Sequence, residues 1–270
     1  FGKYIKLLYE KEVSSVDQRP YPRLVSAMTE TFLLEKSRLT SVGKGERCYH
    51  IFYQLVSALD NEELRVQLGL HHGVAAFRML SQGDCLANDH DVSEYQATRH
   101  ALTNLQVSAE EYVQIVQLLA IILHLGNLQF EVIDEESDRV VLSCPTIELD
   151  TLSDLLGLHP ATLKLALTTQ SMQVRGRASI RTKILSIDDV ANNSNALLKW
   201  LYSRLFDWLV RKINYCHRLA HAVQQQPQFI GILDIFGFEI LKVNSFEQLC
   251  INYTNERLQQ QFNQHVFISE

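Results

Sequence analysis

Residues Phe229 to Glu239 read Phe-Ile-Gly-Ile-Leu-Asp-Ile-Phe-Gly-Phe-Glu. The apolar run Phe229–Leu233 has the length of a buried strand and ends in Asp234. Gly237 and Glu239 follow within five residues. A strand that carries an acid to its C-terminal edge, with a glycine just beyond, can offer a carboxylate to hydrated magnesium and a backbone N–H to a phosphate oxygen. Directly downstream, Asn244-Ser245-Phe246-Glu247 opens a long helical pattern, with Asn244 and Glu247 spaced as a capping box. Taken alone, Asp-x-x-Gly is also what an ordinary turn shows, with the aspartate as a cap. The fusion to a long helix favours a loop that senses phosphate and passes its state on.

Working outward, the final helix carries Phe246, Leu249, Cys250, Tyr253, Leu258, Phe262 and Val266 as an apolar stripe. Before the strand, Gln224-Gln225-Gln226-Pro227 reads as a linker, and Val190–Ala220 as a long helix. Its aromatics Trp200, Phe206 and Trp208 read as core. Pro160–Leu167 and Leu149–Leu156 read as short helices, and Asp134–Asp138 as an acidic surface turn. Ser108 with Glu111 predicts a capping box for a helix that Gly126 would stop, and Leu128–Val132 alternates as a strand. A helix is expected over Arg47–Leu59, a turn at Gly43-Lys44-Gly45, and strands over Phe1–Tyr9 and Thr31–Leu39. The polar, basic stretch Gln173–Lys183 reads as an exposed loop or hairpin. His124, at an apolar helix end, reads as a core histidine, and the pair His71-His72 as a surface feature without metal spacing. Gln82–Asp91 suggests no role.

The composition is that of an ordinary soluble globular chain: 270 residues, 46% hydrophobic, 21% charged, net charge −6. There is no global charge signature for nucleic acid or anionic membrane. The five cysteines are scattered and form no Cys-x-x-Cys, so neither a zinc site nor a disulfide framework is indicated. No signal peptide is seen, and the longest apolar run, Leu118–Leu125, is short for a transmembrane segment. The Asn-x-Ser/Thr matches at Asn192 and Asn252 are read as chance.

Several stretches, in order along nearly the whole chain, resemble the myosin motor domain. Asp234–Glu239 is similar to the family's switch II, and Asn244–Glu256 with Leu258-Gln259-Gln260 to the start of its relay helix. Leu33–Arg38, Gly45–Leu55 and Ile122–Asn127 resemble further signatures of the family. The resemblance implies an α/β fold: a mainly helical, partial P-loop NTPase motor domain with a few strands of a larger central sheet. Residues 1–226 would be an upper 50-kDa-like subdomain, and 227–270 the switch II strand and loop with the start of the relay helix. Phe1-Gly2-Lys3 would be the tail of switch I.

By the same resemblance Asp234 holds magnesium, usually through water, and Gly237 gives its N–H to the γ-phosphate of ATP. Glu239 pairs with a switch I arginine and so closes the site. Arg175, Arg177, Arg181 and Lys183 are implied to contact the actin filament. Ser179 lies sixteen residues before Asn195, where the family has an acid or a phosphorylatable residue. Asn195-Ala196-Leu197-Leu198-Lys199 departs from the usual Asp-Ala-Leu-Ala-Lys, which leaves that register open. The arginines before Ser179 suit a basophilic kinase, and phosphate would add about −1.5 to −2 charges.

No Gly-x-x-x-x-Gly-Lys-Ser/Thr occurs in these residues. The chain is therefore expected to be a piece of a larger motor, and by itself neither to bind ATP tightly nor to hydrolyse it. Its strands are expected to lack partners, giving poor solubility. The parent would be cytoplasmic and cytoskeleton-associated, with calmodulin-like light chains outside these residues. The alternative is a degenerate myosin-like protein that binds actin or a scaffold without ATP turnover. An unrelated helical interaction domain and a kinesin-type motor account for fewer of the motifs.

Overall fold

The computed structural model describes residues 2–16, 18–84, 88–134, 139–142, 146–173, 180–219, 228–235, 237–240 and 244–268. Helices and strands are mixed, as in an α/β chain, and they form two compact units. One comprises residues 1–35 with 206–270, the other residues 36–205. The acidic turn at 135–138 and the linker at 224–227 lie outside the described residues.

The first unit is built on a three-stranded antiparallel sheet. β1 (Gly2–Val13) is central, flanked by β2 (Pro20–Phe32) and β7 (Gln228–Asp234). The expected strand at Phe1–Tyr9 is present and longer. The one expected at Thr31–Leu39 is not: β2 lies upstream and ends at Phe32. Leu33 then adopts φ 53°, which breaks the ladder, and Lys36–Leu39 winds into a 3₁₀ turn with Leu39 buried. Pro20 and Pro22 obscured β2 in the sequence. They are tolerated because β2 is an edge strand, where a missing N–H costs little. The edge is partly covered by α8 (Ile187–Leu219): Asn214 accepts from the Thr29 N–H at 2.7 Å and donates to the Thr29 carbonyl at 2.8 Å.

The expectation that the strands would lack partners is corrected, since they pair with one another. So is the expectation of a buried strand at Phe229–Leu233. β7 is an edge strand exposed along its whole length. An apolar run without alternation suits a strand covered on both faces. Among the described residues nothing supplies that cover. A Cβ at Gly231 in β7 would run into the Tyr4 ring on β1, so a side chain there would have to displace that ring.

α9 (Phe246–Asn263) follows, then a π-helical turn at Gln264–Ile268. Its capping box is Ser245 with Gln248, one residue beyond the expected Asn244 and Glu247. The expected apolar stripe is not its buried face either. Phe246, Leu249, Tyr253 and Phe262 are exposed, while Gln248 and Ile251 are buried.

The second unit is helical around α1 (His50–Ala58), whose Phe52, Tyr53, Leu55 and Val56 are fully buried. The Tyr53 hydroxyl donates to the Leu80 carbonyl at 2.9 Å and accepts from the Cys48 N–H at 3.2 Å. α2 (Glu62–Gln67), α3 (Arg78–Ser81) and α4 (His90–Asn104) lead to α5 (Ala109–Asn127). The Ser108–Glu111 capping box is present at the start of α5. The helix does not stop at Gly126. That glycine stays helical, and a Cβ there would meet Met79 at 3.4 Å, an ordinary contact. Asn127 ends the helix instead, accepting from the Arg78 N–H and donating to the Ala76 carbonyl and to Glu148. By length and hydropathy α5 also passes for a membrane span, contrary to the sequence reading, but every residue from Leu119 to Leu125 is buried within this unit.

Two hairpins, β3 (Phe130–Asp134) with β4 (Arg139–Leu142) and β5 (Thr169–Gln173) with β6 (Ile180–Ile184), flank α6 (Thr146–Leu156) and α7 (Pro160–Thr168) in sequence. The expected turn at residues 43–45 is present. Gly45 has φ 84° and donates to the Gly83 carbonyl at 2.8 Å. A Cβ on Gly83 would overlap the Glu46 carbonyl. Trp200 is 56% exposed and so is not core, while Phe206 and Trp208 are partly buried.

Candidate functional site

β7 delivers Asp234 to the end of the sheet, opposite Lys3 in the β1 register. The Lys3 ammonium lies 3.6 Å from the Asp234 carboxylate, whose side chain is 71% exposed. A single open carboxylate suits magnesium held largely by water and phosphate oxygens, not a closed protein cage. Among the described residues no three His, Cys, Asp or Glu side chains gather as metal ligands. Phe236 lies outside the described residues. Gly237 stands open, with nothing within 4 Å of where a Cβ would be. A backbone this bare can be approached closely by an anion.

The loop after β7 is held from one side by α9. Asn255 donates to the Gly237 carbonyl at 3.0 Å. Asn252 accepts from the Glu239 N–H at 2.7 Å and donates to the Glu239 carbonyl at 2.8 Å. Gln248, itself buried, places its amide nitrogen 3.5 Å from the Glu239 carboxylate. Residues 248, 252 and 255 follow the four- and three-residue steps of one helix face. The sequence reading missed this polar stripe because it looked for apolar periodicity. Amides at that spacing, next to a loop with unpaired backbone groups, were the available signal.

The structure thus brings Asp234, Gly237 and Glu239 onto one loop of the first unit. The basic stretch belongs to the second unit. Arg175, Arg177 and Ser179 lie outside the described residues. Arg181 and Lys183 are in β6, across the ladder from Met172 and Gln170, and Lys183 is exposed. Of the stretch Gln173–Lys183, the described residues 173 and 180–183 lie in the paired strands β5 and β6.

Other titratable groups read as structural. His124 is buried and hydrogen-bonded through Nε2 to the Leu68 carbonyl at 2.8 Å, as a core histidine would be. Burial lowers its pKa. His71 and His72 are exposed, with ring centroids 3.8 Å apart. Burial pushes the Cys48 thiol up to about 12, so it is no nucleophile.

The chain matches the family model of the myosin head (motor domain) over residues 1–270. Myosin-2 of Lachancea kluyveri is 39% identical over 269 residues, covering 99% of this chain and 16% of that protein. Myosin-7 of Arabidopsis thaliana is 40% identical over 276 residues, covering 100% of this chain and 15% of that protein. Unconventional myosin-Vb of Homo sapiens is 37% identical over 268 residues, covering 99% and 14%. The chain therefore spans about one sixth of the length of these curated relatives. With the family model matched over residues 1–270 and relatives at 37–40% identity across the chain, the chain belongs to the myosin head (motor domain) family.

Proposed function

We propose that the chain works within an ATP-driven, actin-based motor of the P-loop NTPase class. Its share of the work is to sense the state of the bound nucleotide at Asp234, Gly237 and Glu239. The observation that carries this reading is the direct attachment of that loop to α9. Asn252 and Asn255 hold the backbone of Glu239 and Gly237, so a shift of the loop toward a phosphate must pull on the helix. Residues 227–270 would be the sensing and transmitting segment, and residues 1–226 the upper 50-kDa-like part.

Asp234 would hold magnesium through water. Magnesium, when bound, would neutralise charge on the phosphate oxygens. Gly237 would donate its N–H to the γ-phosphate. Glu239 would pair with an arginine, closing the site and orienting the attacking water. The complete protein would take ATP and Mg2+, bind the actin filament, carry calmodulin-like light chains outside these residues, and reside with the cytoskeleton in the cytoplasm.

The test is steady-state ATPase of the complete protein with and without actin filaments. Actin-stimulated turnover that Glu239→Ala abolishes is the expected result. Actin binding without any turnover would move the protein to the non-hydrolysing class. We also infer that Arg175, Arg177, Arg181 and Lys183 contact actin and that phosphorylation of Ser179 tunes the contact. Equal actin-activated rates for Ser179→Ala and Ser179→Asp would refute the role of Ser179.

A further inference from the structure

Gln248 sits in the first turn of α9 and is only 3% exposed. Its amide has a defined orientation. The Ser245 N–H donates to Oε1 at 2.9 Å, and the Ser245 hydroxyl bonds to the same oxygen. An amide whose oxygen takes both donors must turn its NH2 to the other side. Two carboxylates stand there. Nε2 lies 3.5 Å from Glu239 Oε2 and 3.5 Å from Glu35 Oε1. Both contacts are long, and the two hydrogens of the amide NH2 allow one for each acceptor. Glu35 comes from the segment after β2, 213 residues away in sequence from Gln248.

We propose that Gln248 is a positioning residue for Glu239, and that Glu35 is the second acid of the same cluster. Two carboxylates sharing one site repel each other. The Gln248 NH2 stands between them, offsets that repulsion and sets where the Glu239 carboxylate points. The capping box of α9 and the aim of Glu239 are then one network, so the helix end cannot fray without releasing the acid. The inference rests on the reading of Glu239 as the acid that closes the site on an arginine.

The test is a double-mutant cycle in the complete protein, with Gln248→Glu, Glu35→Gln and the two together. Gln248→Glu keeps the Ser245 contacts but puts a third carboxylate where the NH2 was. We expect ATP association within about twofold of the unmodified protein and the rapid-quench phosphate burst reduced about tenfold or more. Glu35→Gln in that background removes one charge and should restore the burst at least about threefold, a rescue that a purely structural cap would not give. Gln248→Met, which lacks both charge and donors, should lose less than Gln248→Glu. An undiminished burst in Gln248→Glu, or strictly additive effects of the two changes, would overturn the proposal. The same cycle read by thermal melting separates the two levels of inference. An unmodified protein without any burst refutes the proposed function, while non-additive melting shifts at 248 and 35 would still establish the cluster, and additive ones would refute it.

Discussion

Asn252 of α9 makes both of its amide hydrogen bonds to one residue, accepting from the Glu239 N–H and donating to the Glu239 carbonyl. A side chain here does what a neighbouring strand would do, pairing both backbone groups of a loop residue. Asn252→Ala should expose that pair and cost about 1–3 kcal/mol, the penalty for leaving partly buried polar groups without partners. Amide hydrogen exchange is the direct check. The Glu239 N–H should lose protection in the variant while the amides of β1 keep theirs. Unchanged exchange at Glu239 would mean the loop is held by something else.

Gly237 allows function to be tested without unfolding the loop. Its Cβ position is open, so Gly237→Ala should change the melting stability by less than about 0.5 kcal/mol. If Gly237 has the proposed role, nucleotide turnover of the complete protein should nevertheless fall steeply, because a methyl group would stand in the path of the phosphate. A variant that melts normally and turns over normally would remove Gly237 from the site. Gly83→Ala is the structural contrast. Its Cβ would overlap the Glu46 carbonyl, and a cost of about 1–3 kcal/mol or more is expected whatever the activity.

The parts of the fold that the sequence made legible are those settled within a few residues. The Ser108–Glu111 capping box of α5 depends on two side chains three residues apart, and His124 on its apolar neighbours. The strand before Asp234 was readable from its apolar run, but its surroundings were not. That run is written for a strand covered on both faces, and the cover is not among the described residues. β2 was hidden because Pro20 and Pro22 forbid a central strand, and only the topology makes it an edge. At the candidate site, Asp234, Gly237 and Glu239 could be located from motif spacing. Gln248, Asn252 and Asn255 could not be given roles, because their partners are loop backbone groups and a carboxylate brought close only by the turn between β7 and α9.

The ion pair of Arg47 with Asp91 should be the most sensitive polar contact in the second unit. The two side chains lie 2.6 Å apart, and the Asp91 side chain is 4% exposed. Asp91 also accepts from the Asn88 N–H at 2.9 Å, and the guanidinium lies 3.9 Å from the centre of the Tyr53 ring. Removing one member leaves the other charge buried, which costs about 3–5 kcal/mol. Asp91→Ala should therefore lower the urea midpoint sharply. Replacing both residues at once, Arg47→Met with Asp91→Leu, should cost much less than the sum of the single changes. Equal costs for the double and the summed single variants would show that the pair is not coupled.

His124 gives the second unit a predictable response to acid. Burial is the main cause that lowers its pKa from the ordinary 6.5, with the Leu68 carbonyl and Glu148 acting against it and His72 with it. The folded chain keeps the ring neutral, while the unfolded chain takes up a proton below about pH 6.5. The unfolded state then binds more protons, so stability must rise with pH across this interval. The contribution is complete above about pH 6.5 and is lost as pH falls from there toward the lowered folded value, by at most about 1.4 kcal/mol per pH unit. Gly69, at φ 66°, packs so closely that a Cβ would sit 2.9 Å from the imidazole Cε1, which leaves the ring little room to move aside when it is charged. Urea unfolding at pH 7.5 and 5.5 should show the loss in the unmodified chain and a smaller loss in His124→Gln, which cannot titrate. An identical pH dependence in the two proteins would assign the acid sensitivity to other groups.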